Sequence, residues 1–477
     1  MVRELVSVLR THRFSEEDQI DFAEISGDAI PLHMDPIEAR RTLMGGPIVH
    51  GMHLVLLALE AVNGELDQAL RLARLHARFL SPVMVGDTVE WRLVKTKGTH
   101  WQLEVSVQDD PVLDLRIDWA LRSSDNDSII PPLHPVPLHD LLFNELPDMA
   151  GSLQVGIDTV LARRLFPCFV ARFGVAVLAD LMALTRLVGM RCPGRHSLFN
   201  QFDVAFHPSQ AGGMLHFQVK EVDERFLRVV IQIEGNTLNG KLVAFCRPLP
   251  QPQRQMADLA RVSRRDEFRD STALVIGGSR GLGEATAKLL TVGGARVIVT
   301  YHRGEADAAR LKAEIQSCGG RCEYARLDVL DSAADVEKIF AAPDPPQTIY
   351  YFATPPIFVR RRDRFSPDLL QNFLQYYVFG FFQIVASASR SKGKLRVFFP
   401  STVAIDEDLR EVAEYSLAKK IAENIILCCN RFLANVEIIA VRLPRVKTDQ
   451  TAALMDIPAE DAANVMLPII RRVELMN

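Results

Sequence analysis

The sequence lacks the features of a membrane-spanning, secreted or nucleic-acid-binding protein. Its 477 residues contain no uninterrupted apolar run long enough to cross a bilayer. The first ten residues carry charges throughout and have no long apolar centre, unlike a secretory signal. The net charge of −4 is too small to favour nucleic acid or an anionic membrane surface. We therefore expect a cytoplasmic protein with no membrane span and no nucleic-acid partner.

Cysteines with metal-ligand spacing are missing as well. The seven cysteines are scattered along the chain, and no two of them form a C-x-x-C pair. In a reducing cytosol, cysteines in such a pattern are usually buried or free thiols. We expect no metal site.

The chain has the length and composition of a protein with several globular domains. Hydrophobic residues make up 48% of it and charged residues 24%, which is enough to bury large cores. Two proline-rich, polar stretches, 123–138 and 248–270, are typical of linkers. They divide the chain into predicted domains 1–125, 140–250 and 268–477.

The first predicted domain combines one buried helix with antiparallel strands. The segment 51–60 is almost entirely apolar, as expected of a helix enclosed by a sheet. A shorter helix over 14–25 begins at Ser15, a residue type that caps helix N-termini. Strand patterns follow at 75–80, 88–94, 101–107 and 113–121.

Three sequence blocks in this domain carry a resemblance to a known family. They are Ser26-Gly-Asp-x-x-Pro-Leu-His-x-Asp35, Gly45-Gly-Pro-Ile-Val-His-Gly51 and Arg78-Phe-Leu-x-Pro-Val-x-x-Gly-Asp87. Together they resemble the MaoC-like hot-dog family, which includes (R)-specific enoyl-CoA hydratases and acyl dehydratases. The resemblance implies that Asp28 and His33 share acid–base work at a 2,3-enoyl thioester. It also implies an oxyanion hole for the thioester oxygen at the helix that begins near Gly51.

One departure from the family pattern lies inside the first block. The family usually has asparagine two residues after the catalytic aspartate, where this chain has Ile30. The alternative to a working site is that Asp28 caps a turn and His33 is a core histidine. His50, at the loop–helix junction, is interpreted as structural rather than as a base.

The second domain repeats the order of the first: a helix, a turn and then strands. A helical pattern covers 173–190, and strand patterns cover 198–206, 214–222, 227–234 and 240–245. The Gly-Asp-x-x-Pro-x-His block is absent, and His196-Ser197 is all that corresponds to His-Gly. We interpret this domain as a degenerate second hot-dog repeat that completes a double hot-dog and shapes an acyl tunnel. An independent second site is the alternative.

The third domain begins with a glycine-rich turn at 272–283 and continues with alternating strands and helices. Glycines let the backbone approach a pyrophosphate, and the following helix offers free N–H groups to its charge. The alternation predicts an α/β Rossmann-type, doubly wound parallel sheet after the α+β double hot-dog.

Residues further along this domain indicate reductase chemistry. Tyr415 and Lys419 lie four apart on a predicted helix, where a lysine ammonium would lower the phenol pKa. A hydroxyl from Ser401 or Thr402, at the end of the preceding strand, could hold a substrate carbonyl.

The end of the second predicted strand of the third domain indicates which dinucleotide cofactor binds. It reads Val-Thr-Tyr-His-Arg303 and carries no acid to bind the ribose 2′-hydroxyl of NAD. Arg280 and Arg303 would instead suit the 2′-phosphate of NADP. We therefore expect NADP(H) as the cofactor.

Over about 270–455 these motifs look like the short-chain dehydrogenase/reductase family. The resemblance implies that Tyr415 donates a proton, that Lys419 contacts the nicotinamide ribose, and that Thr402, or Ser401 beside it, orients the carbonyl. The implied cofactor residues are Gly277, Ser279, Arg280, Gly281, Leu282, Gly283, Arg303, Asp328, Val329, Ala353, Tyr415, Lys419 and Thr448. The family's Asn-Asn-Ala-Gly block is Phe352-Ala-Thr-Pro355 here, and its asparagine in the long helix is Tyr377.

The two resemblances imply consecutive reactions. A ketoreductase makes a 3-hydroxyacyl thioester, and a MaoC-like domain interconverts that product with the 2-enoyl form. We expect NADPH-dependent 3-oxoacyl reduction followed by dehydration, on coenzyme A or an acyl carrier protein, in a homo-oligomer. One alternative is a reductase of a non-thioester carbonyl whose hot-dog domains only bind acyl groups. The other is a non-catalytic acyl-binding scaffold.

Overall fold

A computed structural model describes residues 7–66, 70–121, 130–209, 213–358, 365–391, 393–407, 410–452 and 457–475. The chain divides into two compact units. One is Met1–Leu249, and the other is Pro250–Ala452 with Ile457–Asn477. The two predicted hot-dog domains thus form one unit, and the predicted linker at 123–138 lies partly outside the described residues.

A single antiparallel sheet of ten strands forms the first unit. The strands are β1 (Ser7–Arg13), β2 (Leu70–Phe79), β3 (Thr88–Lys97), β4 (His100–Val107), β5 (Asp110–Leu121), β6 (Ala150–Gln154), β7 (Ser197–Phe206), β8 (Met214–Asp223), β9 (Arg228–Glu234) and β10 (Leu238–Cys246). Their order is β1-β3-β4-β5-β2-β7-β10-β9-β8-β6. The halves join where β2 pairs with β7, from Arg74 opposite Ala205 to Arg78 opposite Gln201.

Each half of this sheet encloses one apolar helix. The helices are α1 (Glu16–Ser26), α2 (Pro31–Met34), α3 (Pro36–Ala39), α4 (Gly51–Val62), α5 (Thr159–Leu165), α6 (Pro167–Phe173) and α7 (Val175–Arg186). Nine of the twelve residues of α4 and nine of the twelve of α7 are buried, and both helices contribute to one hydrophobic core with both halves of the sheet. The predicted double hot-dog is therefore observed. Ser15 caps α1 as expected: its hydroxyl accepts a hydrogen bond from the Asp18 N–H, and its own N–H donates one to the Asp18 carboxylate.

The helix predicted over 173–190 is interrupted at both ends. Gly174 has φ +84°, a backbone conformation that separates α6 from α7. After α7 the chain continues as a π-helical turn, Leu187–Arg191. Among the described residues, no single helix is long and apolar enough to cross a membrane. The bent pair Pro167–Phe173 and Val175–Arg191 reaches that length and composition only when combined across a 116° bend.

A parallel sheet of six strands forms the second unit. The strands are β11 (Thr272–Ile276), β12 (Arg296–Tyr301), β13 (Arg321–Arg326), β14 (Thr348–Tyr351), β15 (Leu395–Thr402) and β16 (Val436–Leu443). The helices are α8 (Met256–Leu259), α9 (Gly281–Val292), α10 (Glu305–Ser317), α11 (Ala333–Phe340), α12 (Pro367–Leu374), α13 (Phe381–Ala388), α14 (Ala404–Glu407), α15 (Ala413–Phe432) and α16 (Ala462–Leu475). The strand order β13-β12-β11-β14-β15-β16 is that of a Rossmann-type doubly wound sheet, as predicted.

Two parts of the second unit differ from the sequence interpretation. The helical sequence pattern over 367–389 predicts one helix, whereas the structure has a π-helical turn, Gln375–Gly380, between α12 and α13. The segment 248–270 is more than a linker, because Met256, Leu259 and Phe268 are buried in the core beside α9. Proline and charge content do not distinguish a linker from a segment whose few apolar residues are buried in the core.

Candidate active sites

Asp28, His33 and His50 meet in the interior of the first unit. One candidate donor atom from each lies within 4.8 Å of the others. Gly27, with φ +70°, ends α1 and turns the chain so that Asp28 is buried at 2% exposure. His33 belongs to the short helix α2, which begins at Pro31.

The imidazole of His33 is held in one tautomer. Its Nδ1 donates a 2.8 Å hydrogen bond to the carbonyl of Ile48. Burial lowers the pKa of His33 to about 4, and the positive charge of Arg247 acts in the same direction. Near neutrality the ring is therefore uncharged, and its Nε2 carries a lone pair able to accept a proton.

His50 supports the site through the backbone. Its ring stacks on that of His33 at a centroid distance of 3.8 Å. Its Nε2 donates a 2.9 Å hydrogen bond to the carbonyl of Asp28, and its Nδ1 lies 3.1 Å from Gln19 Oε1. Both ring nitrogens are thus engaged, in accord with the structural role inferred from sequence. Of these three residues, Asp28 and His33 have a group that can react with a substrate: the Asp28 carboxyl and His33 Nε2. This arrangement suits acid–base catalysis better than binding of a metal by all three residues.

The carboxyl of Asp28 is shaped by residues of the second repeat. Thr185 Oγ1, at the end of α7, donates a 2.6 Å hydrogen bond to Asp28 Oδ2, while Oδ1 has no hydrogen-bond partner among the described residues. Burial raises the pKa of Asp28 to about 7, against the opposing effects of the Thr185 hydroxyl, the Ile30 backbone N–H and the charge of Arg186. Ile30, where the family has asparagine, is buried in a small apolar cluster instead.

Sequence reasoning missed Thr185 and Arg186. They lie more than 150 positions after Asp28, in a repeat without the family's catalytic block. Nothing in the local sequence marks them, because their approach to Asp28 follows from the joining of β2 and β7. His196, by contrast, forms a 2.9 Å pair with Asp140 and is not among the contacts of Asp28.

The predicted oxyanion position lies at the start of α4. Gly51 is the first residue of this helix, and the first N–H groups of a helix have no carbonyl four residues before them in the helix. A Cβ at Gly51 would lie 2.8 Å from Phe79 Cε1, so only glycine fits without moving the ring.

The glycine turn of the second unit is closely packed. Gly277 and Gly281 have φ of +69° and +56°, and α9 begins at Gly281. A Cβ at Gly283 would lie 2.4 Å from the carbonyl oxygen of Gly277. The structure brings two other predicted cofactor residues to this turn, Ala353 beside Gly277 and Thr448 beside Gly281. Ser279 within the turn is buried, and Leu282 packs on the core.

Charged residues surround the far end of the turn. Arg280 forms ion pairs with Asp449 at 3.0 Å and Asp307 at 3.8 Å, so its charge is already shared between two carboxylates. Arg303 and Asp328 both act on the pKa of Tyr376, which places them in one neighbourhood after β12 and β13. Val329, next to Asp328, is buried, and its carbonyl lies against Gly380.

Lys419 and Tyr415 lie on α15 as expected, but their electrostatics differ from the sequence interpretation. Lys419 Nζ donates a 2.6 Å hydrogen bond to the Pro400 carbonyl and lies 3.8 Å from the centre of the Tyr377 ring. Burial lowers the pKa of Lys419 to about 7 and raises that of Tyr415 to about 12. The expected lowering of the phenol pKa is therefore not observed, because the ammonium lies 5.8 Å from the Tyr415 ring centre and burial dominates.

The two hydroxyls at the end of β15 have different partners. Ser401 Oγ donates a 2.5 Å hydrogen bond to Glu423, which Arg442 also binds through two nitrogens. The hydroxyl of Thr402 instead accepts a 3.2 Å hydrogen bond from the backbone N–H of Ala404, and it acts to lower the pKa of Tyr415. Thr402 is thus the residue that lies beside the phenol.

Tyr377 occupies the place of the family asparagine, within the π-helical turn. Its hydroxyl lies 2.5 Å from Thr354 Oγ1, and its ring meets that of Tyr415 edge to face at 5.8 Å. The departure from the family pattern therefore leaves a packed aromatic and hydroxyl pair next to Lys419.

Comparison with known proteins matches both halves of the chain. Residues 5–113 match the MaoC like domain and residues 271–457 match short chain dehydrogenase. The chain is 31% identical over 108 residues to 3-hydroxybutyryl-CoA dehydratase of Methylorubrum extorquens, covering 21% of this chain and 68% of that protein. It is 38% identical over 84 residues to the mitochondrial 3-hydroxyacyl-[acyl-carrier-protein] dehydratase of Arabidopsis thaliana, covering 17% of this chain. That alignment spans about half, 49%, of the Arabidopsis protein.

Solved structures similar to the chain include angucycline C-6 ketoreductase LanV with bound NADP. The two share 20% identity at a TM-score of 0.40, over 45% of this chain and 94% of LanV. The assignment rests on the matched domains and the dehydratase relatives. The chain belongs to the MaoC-like family through its N-terminal domain, which it joins to a C-terminal short-chain dehydrogenase domain.

Proposed function

We propose that the protein is a bifunctional acyl-thioester enzyme. It reduces a 3-oxoacyl thioester with NADPH and interconverts the 3-hydroxyacyl product with the 2-enoyl thioester. The observation that carries the proposal is that one chain presents two sites for consecutive chemistry. Asp28 and His33 offer an acid and a base in a buried space, and Tyr415 and Thr402 stand together on the reductase domain.

The residues of the glycine turn fit a dinucleotide pyrophosphate. At Gly283 a Cβ would collide with the turn, so the backbone itself forms the surface there. The start of α9 at Gly281 directs free N–H groups to the same place. Bound NADPH would supply a hydride to the substrate carbonyl carbon.

The NADP preference is attributed to Arg280 and Arg303, which follow the first and second strands of the reductase domain. No acid follows β12 at residues 302 and 303 to hold a ribose 2′-hydroxyl. Arg280 already shares its charge with Asp449 and Asp307, so a 2′-phosphate would compete with these carboxylates for it. Arg303, directly after β12, is the second candidate for the phosphate.

In the reductase site the protein's own residues orient the carbonyl and supply a proton. Tyr415 gives its phenolic proton to the carbonyl oxygen as that oxygen gains charge, and Thr402 donates a hydrogen bond to the same oxygen. Because burial raises the pKa of Tyr415 to about 12, the phenol carries its proton near neutrality, as an acid must. Lys419 would contact the nicotinamide ribose.

In the hot-dog site a neutral base and a protonated acid remove water from the 3-hydroxyacyl thioester. His33 Nε2 takes a proton from C2, and the electrons of the broken C–H bond form the C2=C3 double bond. The C3–O bond breaks as the Asp28 carboxylic acid protonates the leaving hydroxyl, which departs as water. N–H groups at Gly51 stabilise the negative charge on the thioester oxygen. Hydration is the reverse sequence.

Two assays on the purified protein test the proposal. NADPH with acetoacetyl-CoA should give NADPH oxidation, and crotonyl-CoA should lose its enoyl absorbance through hydration. NADPH oxidation confined to non-thioester carbonyls, with no crotonyl-CoA hydration, would instead identify a simple reductase with binding-only hot-dog domains. Inactivity in both assays, with intact folding, would identify an acyl-binding scaffold.

The hydroxyl that orients the carbonyl is tested by two neighbouring variants. Thr402→Val should lower kcat for NADPH oxidation about a hundredfold, because it removes the hydroxyl next to Tyr415. Ser401→Ala should keep most of the rate, since Ser401 is bound to Glu423. The opposite order of effects in steady-state kinetics would assign the role to Ser401.

A further inference from the structure

The second hot-dog repeat lacks the acid–base block of the first, yet its buried helix contacts the same site. Thr185 Oγ1 donates a 2.6 Å hydrogen bond to Asp28 Oδ2. In the π-helical turn after α7, a Cβ at Gly189 would lie 2.2 Å from Asp28 Oδ1. The absence of a side chain at Gly189 therefore makes room for the carboxyl, and Thr185 selects its orientation.

The residue after Thr185 brings a buried positive charge. Arg186 is fully buried, and its Nη2 donates a 2.8 Å hydrogen bond to the Gln154 carbonyl. Its Nε and Nη1 have no hydrogen-bond partner among the described residues. Its Cδ would lie 2.9 Å from a Cβ at Gly27, the residue before Asp28.

A buried guanidinium with two unused nitrogens is costly unless it faces an anion or a polar ligand. Asp28 supplies the anion when it is ionised, and the charge of Arg186 lowers its pKa. Asp28 Oδ1 also has no hydrogen-bond partner among the described residues. The unsatisfied atoms of Arg186 and Asp28 are thus buried near each other, close enough for the charge of Arg186 to act on the carboxyl.

We propose that the second repeat completes the acid–base site of the first, with Thr185 and Arg186 as positioning residues for Asp28. This inference rests on the proposed dehydratase function. Thr185 fixes the carboxyl so that Oδ1 is left for the substrate. Arg186 stabilises the carboxylate that remains each time Asp28 has given its proton to the leaving hydroxyl.

The proposal has a signature in the pH dependence of dehydration. The titratable or charged groups that face Asp28 and His33 are His50 from the first repeat, Arg186 from α7 and Arg247 after β10. Dehydration requires protonated Asp28, so loss of that proton sets the alkaline limb of the profile. Because the hydrogen bond from Thr185 and the charge of Arg186 both lower the pKa of Asp28, removing either should move this limb to higher pH.

The test measures the pH profile of kcat/KM for dehydration of (3R)-3-hydroxybutyryl-CoA by the full chain. Thr185→Val and Arg186→Met should each lower the maximal kcat/KM about tenfold or more and move the alkaline limb to higher pH. Thr185→Ser and Arg186→Lys keep the hydroxyl and the charge, so their limbs should stay near that of the unmodified protein. Where the valine variant does not fold, Thr185→Ala, which adds no branched carbon, replaces it.

Thr237→Val is the matched control. Thr237 Oγ1 donates a 2.7 Å hydrogen bond to buried Asp180 in the same repeat, so this variant removes the same kind of bond elsewhere. Its alkaline limb should not move. An unmoved limb in both Thr185→Val and Arg186→Met, or equal rate losses in Thr185→Val and Thr237→Val, would overturn the inference.

The failure of this inference is distinguishable from that of the proposed function. If the unmodified protein does not dehydrate the substrate, the dehydratase assignment itself is wrong. If it does so in a manner that depends on Asp28, and the limbs do not move, only the role of the second repeat is wrong.

Discussion

Replacing Tyr415 with phenylalanine should reduce NADPH oxidation with acetoacetyl-CoA by about a hundredfold or more. The variant keeps the ring, which packs edge to face on Phe373 and Tyr377 at 5.7 and 5.8 Å. It loses only the hydroxyl that lies near Thr402 and that, in the proposed mechanism, gives the carbonyl oxygen its proton. The measurement is steady-state NADPH oxidation at saturating substrate.

Crotonyl-CoA hydration by the same Tyr415→Phe preparation should be unchanged, which reports that the hot-dog unit is intact. Tyr324→Phe is the matched control, because its hydroxyl contacts Glu305 on the exposed side of the reductase sheet. A Tyr415→Phe variant that oxidises NADPH within a few-fold of the unmodified protein would remove this residue from the mechanism.

The second large effect is expected at Asp28. Asp28→Asn should lower crotonyl-CoA hydration by about a hundredfold to ten-thousandfold, because an amide of the same shape cannot exchange the proton. Its carbonyl oxygen can still accept the hydrogen bond from Thr185, so the local structure should persist. The measurement is the initial rate of loss of enoyl absorbance, with NADPH oxidation in the same sample as the internal reference.

Asp180→Asn provides the control for burial. Asp180 is also fully buried and accepts hydrogen bonds from the backbone and hydroxyl of Thr237, which an asparagine oxygen can still accept. Hydration by this control should remain near that of the unmodified protein. Hydration by Asp28→Asn at the same level would mean that Asp28 only caps a turn.

The elements that periodicity and turn chemistry specify could be predicted from the sequence. The apolar helix α4, the capped helix α1 and the glycine turn before α9 all carry local signals that tertiary packing does not reverse. The strands β1, β6 and β13 carry weaker patterns. They lie at edges of the two sheets, and β6 and β13 each bury only one residue, so core packing imposes little apolar pattern on them.

The composition of the sites was only partly accessible from sequence. Neighbouring residues on a strand point to opposite faces, so Ser401 and Thr402 could not be told apart until the register of β15 was known. The pKa directions of Lys419 and Tyr415 depend on burial, which four-residue spacing does not reveal. Thr185 approaches Asp28 only through the folding of two distant repeats on each other.

The pairing of β2 with β7 also bears on how many hot-dog sites each chain contains. A homodimer of single hot-dog subunits related by two-fold symmetry would build two identical sites. Here the two repeats are covalently linked and unequal, and the Asp28–His33 block occurs once in 477 residues. The chain should therefore bind one enoyl thioester at its hot-dog unit, whatever its oligomeric state. Because the two repeats are not copies of one sequence, the second repeat can differ from the first and still keep the contacts to Asp28.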